Sequence, residues 1–494
     1  MTTSSKLTVN LDRALFGSLC LLAVAAPISI AATQTAWGFG LLFWLVRAFV
    51  VRPAIRKQAF DLAILAFVGL SLISSIFSYE PVVSMKKMAS VSLVTIAYLV
   101  SENIRDRRTL RKLVTILLVS AAFTAVYVIG TFAVGKNLKV IRMAPDSPLL
   151  AAGVMENDTI LKANGVNISS PDDLAKVAAA APKDASLEIV VYRYEAVLGY
   201  YPPVSAMPET GDSMAKFGIL EWSRGRDTRV AAFYSHYMTY SEAIQLLGSL
   251  TLGLCIAFPG GFFSRNRILL GVAVAAMAVG LFLTVTRASW AAFMVSAAVM
   301  VIAGTSRKTI LICALCAIPV VFAGVFYLQQ KRNVAFIDQT DSSTAYRETV
   351  WREAFNLLIS SPRHLAVGVG MNSRDTRWRE WHMLDDGRLP LNPLESAPIE
   401  IAFERGVPTL IAWIAWMAIY LTMLWRGIQL KDMTWPERGV LLGALGGTAG
   451  FLASGFVHHN LGDSVVAMIL YLIMGFSLAI LRVIPRKVSG SADA

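Results

Sequence analysis

Arginine is the residue type whose placement first points to chemistry in this chain. Arg229 opens the stretch RVAAFYSHYMTYSEA, Arg287 stands in FLTVTRASWAAF between two long apolar runs, and Arg347 begins the helical pattern of AYRETVWREAF. A guanidinium binds phosphate oxygens in a bidentate manner and stays charged at every working pH. Three such arginines near one membrane surface would suit a diphosphate headgroup. A single arginine at the end of an apolar run is equally consistent with an interface anchor.

The histidines and cysteines do not form a recognisable metal or disulfide pattern. No HExxH motif and no Walker-type phosphate loop occurs, so neither a zinc protease nor a nucleotide-binding site is expected. The histidines are His236, His364, His382, His458 and His459, and the cysteines are Cys20, Cys255, Cys313 and Cys316. All four cysteines fall in apolar segments, which favours packing roles. We therefore expect no metal and no cofactor.

The composition places the chain among membrane proteins. Of its 494 residues, 55% are hydrophobic and only 16% are charged, and the mean hydropathy is +0.58. Apolar runs long enough to cross a bilayer recur along most of the length, and helices satisfy their backbone hydrogen bonds locally there. The net charge of +12 is typical of basic cytoplasmic loops and does not indicate nucleic acid as a partner. The predicted fold class is an all-α polytopic membrane protein.

Window length predicts about twelve transmembrane helices. Their approximate limits are 14–31, 34–50, 59–77, 86–101, 109–134, 240–258, 267–285, 287–304, 308–328, 406–425, 437–456 and 463–482. Short basic connections such as ENIRDRRTLRK and TSRK fall on the side of the N-terminus, so that side is predicted to be cytoplasmic. An even number of spans returns the C-terminus to it. The long connections, about 135–239 and 329–405, then face the periplasm.

The pattern divides the chain into five segments. Helices 1–5 occupy 1–134, a small periplasmic domain occupies 135–215, helices 6–9 occupy 216–328, a periplasmic catalytic loop occupies 329–405, and helices 10–12 occupy 406–494. The small α+β domain reads as strand, short helix, turn, strand, turn, helix and strand.

This small domain resembles a bacterial PDZ domain. The resemblance is carried by Ala152-Gly153-Val154, by the turn at Asn157-Asp158, and by Ile160 leading to Asn164-Gly165. The usual Pro-Gly-Asp turn is replaced by Glu156-Asn157-Asp158, and no carboxylate-binding loop is obvious before it. A structural or docking module is therefore expected alongside the alternative of a peptide-binding one.

Several motifs outside this domain follow one another in a set order. They are RVAAFYSHYMTYSEA, TVTRASWAAF, YRETVWREAF followed by GVGMN, PIEIAFERGVPTL and FVHHNLGDSVVAMILYLIMGF. Their order, on about twelve spans with a large late loop, resembles that of the O-antigen ligase and polymerase superfamily. The resemblance implies a membrane glycosyltransferase that uses a glycan linked to undecaprenyl diphosphate, needs no metal and inverts the anomeric centre. It assigns Arg229, Arg287 and Arg347 to the donor diphosphate.

The residue that would act as general base departs from the family pattern. Many members place a His-Asn pair before the ERG helix, whereas this chain has Glu395-Ser396 at the aligned position. A glutamate can take the proton from an acceptor hydroxyl as that hydroxyl attacks the sugar. Glu395 is equally consistent with a residue that caps or solvates the helix. His382 is the second candidate base, beside Trp378 and Trp381, which are suited to stacking on a sugar. The candidate supporting residues are His236, His458, His459 and Asp463.

Several functions fit these features. The leading hypothesis is a ligase that moves a finished glycan to the lipid A core or a related acceptor at the bacterial inner membrane. A polymerase and a protein O-oligosaccharyltransferase, whose acceptor polypeptide the PDZ-like domain would present, are alternatives. A lipid-glycan transporter and a non-catalytic scaffold are the other classes. The expected partners are the lipid-linked glycan, its acceptor, membrane lipids and a protein bound through the PDZ-like domain.

Overall fold

A computed structural model of the protein divides into two compact units. The first unit is Met1–Ala125 with Ala231–Ala494, and the second is Val126–Val230. The structure describes residues 3–51, 57–193, 196–208, 211–226, 229–261, 263–305 and 342–483. The predicted span 308–328, with Cys313 and Cys316, lies outside the described residues.

The described chain is mostly helical. In order the helices are α1 (Thr3–Ala25), α2 (Ile30–Val51), α3 (Asp61–Ile76), α4 (Pro81–Val91), α5 (Thr95–Asn103), α6 (Arg107–Val134), α7 (Pro148–Ala151), α8 (Pro171–Ala179), α9 (Tyr237–Ala257), α10 (Arg265–Leu283), α11 (Arg287–Gly304), α12 (Ser342–Ile359), α13 (Pro362–Val367), α14 (Arg374–Arg377), α15 (Leu384–Gly387), α16 (Ala397–Arg405), α17 (Val407–Ile428), α18 (Trp435–Gly455) and α19 (Ser464–Val483). A 3-10 turn, Ser92–Val94, joins α4 to α5.

Nine helices within the described residues are long and apolar enough to cross a membrane. They are Lys6–Ala25, Ile30–Val51, Pro81–Asn103 (α4 and α5 taken together with the 3-10 turn between them), Arg107–Val134, Tyr237–Ala257, Arg265–Leu283, Arg287–Gly304, Val407–Ile428 and Ser464–Arg482. The apolar helix α3 is shorter, and α18 is a buried helix rich in glycine. The protein is thus a multi-pass membrane protein, while the count of twelve spans stays a prediction.

Helices α9 and α18 pack backbone against backbone. A Cβ atom built on Gly253 would lie 2.3 Å from the backbone nitrogen of Gly443, and one built on Gly443 would lie 2.5 Å from the Cα atom of Leu250. Small residues permit such close approach between membrane helices. Because the two backbones touch, polar side chains at the ends of α9 and α18 are brought together.

The segment 342–405 folds onto a small buried core of its own. Its core residues are Val350, Ala354, Val369, Met383, Leu384, Leu394 and Phe403. The backbone nitrogens of Val369 and Gly370 donate to the carbonyls of Phe403 and Glu404 at 2.9 and 2.8 Å. Gly370 has φ 100°, which suits glycine. The GVGMN turn therefore lies directly against α16, which carries the ERG motif.

The second unit contains a six-stranded sheet whose strand pairs are all antiparallel. The strands are β1 (Asn137–Met143), β2 (Thr159–Ala163), β3 (Val166–Asn167), β4 (Ile189–Arg193), β5 (Ala196–Tyr200) and β6 (Ile219–Gly225). The sheet order is β5-β4-β2-β1-β6, and β3 pairs with β2. The strand and helix order expected over 139–193 is present, whereas the PDZ-like identity stays a prediction.

Strand β6 extends this unit beyond the sequence-based limit of 215. It pairs with β1 from Asn137 opposite Gly225 to Met143 opposite Ile219. The side chains of Phe217 and Ile219 enter the same core as Leu138. The stretch ILEWSRG carries no regular alternation, so its pairing depends on contacts with the distant β1 and not on a local pattern.

Candidate functional site

Arg287 begins α11 after a strained turn. Val285 has φ 53°, a left-handed conformation that is an outlier for a β-branched residue. The Trp290 ring stacks on Phe282 with centroids 4.7 Å apart, and its Nε1 donates to the Leu281 carbonyl at 3.0 Å. Strain of this kind persists only where surrounding contacts hold it, and it clusters at functional sites. The Trp290 contacts hold the ends of α10 and α11 around the arginine.

Glu395 and Arg347, which the sequence assigned to different roles, are brought together. The Glu395 Oε2 atom lies 3.7 Å from Arg347 Nη2, and the two side chains are 17% and 19% exposed. Arg347 also donates from Nη1 to the Ser343 Oγ at 2.7 Å. Glu395 has φ 55°, so it too stands at a strained backbone position. A base candidate and a phosphate-ligand candidate therefore lie side by side as a partly buried ion pair.

The chain before Glu395 is held by several hydrogen bonds. Tyr346 Oη donates to the Asn392 carbonyl at 2.8 Å, and Trp351 Nε1 donates to the Leu394 carbonyl at 2.6 Å. The Leu394 backbone nitrogen donates to Glu400 Oε2 at 3.0 Å. Both aromatic donors lie on α12, within about one helical turn of Arg347. The same helix thus positions the arginine and the loop that carries the glutamate.

A buried cluster of ionisable side chains lies beside this pair. His459 Nδ1 is 3.5 Å from Glu400 Oε2, and the His459 side chain is 23% exposed. Burial lowers the pKa of the His459 imidazole to about 4, although the charge of Glu404 opposes that shift. Arg405, Lys87 and Glu395 also act on this ring. The imidazole is therefore neutral at neutral pH.

Burial also disfavours the charged forms of the carboxylates and the arginine in the ERG helix. Burial raises the pKa of both Glu400 and Glu404 and lowers the pKa of Arg405. Glu404 accepts a hydrogen bond from the backbone nitrogen of Asn372 at 2.7 Å, in the GVGMN turn. Perturbed ionisable groups of this kind cluster at functional sites. The motif AFERG therefore contributes a contact with the GVGMN turn and ionisable side chains near Glu395.

A single carboxylate in α9 connects the start of α11 with the loop after α18. Glu242 Oε1 accepts hydrogen bonds from Ser289 Oγ at 3.0 Å and from His458 Nδ1 at 2.6 Å. The His458 carbonyl accepts from the backbone nitrogen of Ala397 at 3.1 Å. A continuous chain of contacts therefore runs from the first turn of α11 to the residues next to Glu395.

Residues 272–414 match the family model described as O-antigen ligase. The segment contains α11 with Arg287 and the whole of 342–405 with Arg347, His382 and Glu395. The chain carries an O-antigen ligase domain. No curated protein matches the chain in sequence.

The remaining predicted residues lie outside the O-antigen ligase domain. His236 precedes α9, where its Nδ1 accepts from the Met238 backbone nitrogen at 3.2 Å. Asp463 accepts from Thr239 Oγ1 at 2.5 Å and from the backbone nitrogen of Val465 at 2.9 Å, so it ties α9 to the start of α19. Arg229 lies at the end of the second unit, and its assignment to a diphosphate stays a prediction.

His382 occupies a different environment from the other predicted residues. It lies in the O-antigen ligase domain, but its side chain is 83% exposed and its Nδ1 is 3.1 Å from Asp386. Its neighbour Trp381 packs edge-on against Tyr79 with centroids 5.4 Å apart. Trp378 lies beneath the guanidinium of Arg379 at 4.9 Å from the ring centroid. The structure therefore connects Glu395 to the buried cluster and places the His382 side chain in solvent.

Some residues of the site were missed in the sequence. They are Lys87, Glu242, Glu400, Glu404 and Arg405. Glu242 had a usable signal, since a lone carboxylate within an apolar span is expensive and therefore functional by default. Glu400, Glu404 and Arg405 stand inside the quoted motif PIEIAFERG, but their spacing alone does not show that they are buried. Within the described residues, no group of three or more His, Cys, Asp or Glu side chains is arranged to hold a metal.

Proposed function

We propose that the chain is an O-antigen ligase-like glycosyltransferase. It moves a glycan from an undecaprenyl-diphosphate carrier to an acceptor hydroxyl, on the lipid A core or a related surface glycan, at the periplasmic face of the inner membrane. The single observation that carries this proposal is the contact between Glu395 and Arg347 inside the O-antigen ligase domain. A base and a phosphate ligand at one place are what transfer from a diphosphate-linked sugar requires.

The reaction follows from the roles of these two groups. The acceptor oxygen attacks C1 of the donor sugar from the face opposite the diphosphate, which inverts the anomeric centre. As the new C1–O bond forms, the hydroxyl proton passes to the Glu395 carboxylate. The C1–O bond to the phosphate breaks, and the electron pair leaves with the undecaprenyl diphosphate.

The arginines act on the leaving group. Negative charge develops on the diphosphate oxygen as the bond breaks, and a fixed guanidinium stabilises that charge most when it is fully formed. Arg347 and Arg287 are the two ligands proposed, and both belong to the first unit. Arg347 offsets the charge of Glu395 in the resting protein and turns toward phosphate when the donor binds. No metal is required in this scheme.

The membrane arrangement belongs to the same proposal. Twelve spans with both termini in the cytoplasm would place the second unit and the segment 342–405 in the periplasm. The second unit is proposed to be a PDZ-like module. Gly153, two residues after the end of α7, has φ 102°, and a Cβ atom there would meet the Tyr200 ring at 2.9 Å, which is consistent with the Ala-Gly-Val pattern. Its partner is proposed to be a protein.

A glycan gel of a deletion strain tests the proposed function. Loss of a ligase leaves an unmodified lipid A core together with free, full-length polymer on the lipid carrier. Loss of a polymerase instead leaves single repeats on the acceptor. An unchanged glycan profile would contradict both, and a changed glycosylation of proteins alone would assign the chain to protein O-oligosaccharyltransferases.

A further inference from the structure

We propose that Glu242 is a positioning residue that holds Arg287 and the Glu395 loop in register. The inference rests on the proposed function, because it deepens the account of the same site. Glu242 lies in α9, outside the matched O-antigen ligase domain, and is 3% exposed. It touches neither donor nor acceptor in this scheme and acts through its neighbours.

Both oxygens of the Glu242 carboxylate are occupied. Oε1 accepts from Ser289 Oγ at 3.0 Å and from His458 Nδ1 at 2.6 Å, and Oε2 accepts from Ser454 Oγ at 2.7 Å. The three donors come from α11, from the loop after α18 and from the last turns of α18. One side chain therefore fixes three elements relative to α9.

A buried carboxylate such as that of Glu242 costs free energy when it links helices. A buried charge needs a partner and several hydrogen bonds to offset its lost hydration, and apolar side chains of the same size often give a more stable core. What the carboxylate adds is direction, since each oxygen accepts only at set angles and distances. The geometry therefore indicates that the Glu242 carboxylate sets the relative positions of the elements it binds.

The first element positioned in this way is the start of α11. Ser289 lies two residues after Arg287, and its hydroxyl is shared between Glu242 and Ser241, whose Oγ is 2.9 Å away. The turn just before Arg287 contains the strained Val285. A strained turn keeps its shape only when neighbouring contacts over-determine it. The Ser289 bonds add to the Trp290 contacts that hold the start of α11.

The second element is the loop beside Glu395. The His458 ring is held by Glu242, and its carbonyl accepts from the backbone nitrogen of Ala397, two residues after Glu395. The next residue, His459, lies 3.5 Å from Glu400, whose Oε2 also accepts from the backbone of Leu394. Through Ala397 and Glu400, the two histidines therefore contact the residues that follow Glu395.

A double-mutant cycle tests the proposal on full-length protein in membranes with matched expression. The variants are Glu242→Gln, Arg287→Lys and the two combined, assayed for kcat and KM with a lipid-diphosphate donor. Small displacements of a catalytic constellation cost roughly a hundredfold in rate. We expect Glu242→Gln to lower kcat/KM by about 30- to 100-fold. In the double variant the loss should be at least about tenfold smaller than the product of the two single losses.

Gln245 offers a matched control on the same helix. It is fully buried about one turn further along α9, where its Nε2 donates to Ser296 Oγ at 2.8 Å and to the Gly447 carbonyl at 3.4 Å. Gln245→Met removes bonds between α9, α11 and α18 without touching the site. We expect kcat/KM to change by less than about threefold.

The outcomes separate the two proposals. A wild-type chain that transfers no glycan overturns the proposed function and this inference with it. An active wild type in which the two losses multiply, or in which Gln245→Met is as damaging as Glu242→Gln, overturns the positioning role alone. If Glu242→Gln does not fold, Ser289→Ala removes only the α11 link. It must then show the same coupling to Arg287→Lys, because additive losses would count against the inference.

Discussion

The carboxylate of Glu395 lies 3.7 Å from the guanidinium of Arg347, and both side chains are less than a fifth exposed. The pair joins α12 to the loop before α16, and α12 also binds that loop through Tyr346 and Trp351. In the proposed reaction the donor diphosphate competes with Glu395 for Arg347. Binding of the donor would thereby free the base at the moment when it is needed.

Glu395→Gln should lower kcat by about two to four orders of magnitude while donor KM changes little. The amide keeps the shape and a hydrogen-bonding oxygen but cannot take a proton. Transfer from a lipid-diphosphate donor, measured in membranes with matched expression, gives the comparison. His382→Ala is the control, and it should stay active because that side chain is solvent-exposed. A dead His382→Ala beside an active Glu395→Gln would move the base to His382.

Arg287→Lys should reduce turnover although the charge is retained. A lysine supplies a point charge without the planar fork that binds two phosphate oxygens. Loss of one charge-assisted bond to the developing anion costs on the order of 3 kcal/mol, or roughly a hundredfold in rate. Turnover and protein level are measured together in the same membranes. Normal values for both would make Arg287 an interface anchor.

The buried His459 should make the protein less stable in acid. Burial lowers the pKa of its imidazole to about 4, whereas an unfolded histidine titrates near 6.5. Between these values the unfolded state binds more protons, so this group removes stability as the pH falls from about 6.5 toward about 4.

The contribution of His459 can be isolated by comparing thermal unfolding of wild type and His459→Asn over that pH range. The raised pKa values of Glu400 and Glu404 act in the opposite direction, since the folded state there holds protons that the unfolded state releases as the pH rises above about 4.5. The Tm of wild type should therefore fall more steeply with acid than that of His459→Asn. Parallel Tm curves would show that His459 is not held neutral by the fold.

A topology reporter fused at Asp172 should give a periplasmic signal. Asp172 is an exposed residue at the start of α8 in the second unit, so a fusion there leaves the core of that unit intact. A fusion in the short basic connection 104–108 serves as the cytoplasmic control. A cytoplasmic signal at Asp172 would invert the proposed orientation and with it the face on which transfer takes place.

The amino-acid sequence alone was enough to locate the apolar segments and to indicate a family for the segment 272–414. Apolar runs of bilayer length predict helices because the backbone must be satisfied within each segment, and each predicted span within the described residues overlaps one or two helices. The ordered motifs indicated the O-antigen ligase superfamily, and the match over 272–414 confirms it. The element order of the small domain also followed from local turns and alternation.

Which charged side chains meet depends on the tertiary structure. Glu242 and His458 are 216 residues apart in the chain, and Arg347 and Glu395 are joined across a loop. Apolar periodicity reports that a face is buried but not what it is buried against. Glu242 reaches His458 because glycines let α9 and α18 touch, and β6 finds β1 through a shared core. Contacts of this kind depend on the packing of whole elements, so no local sequence pattern predicts them.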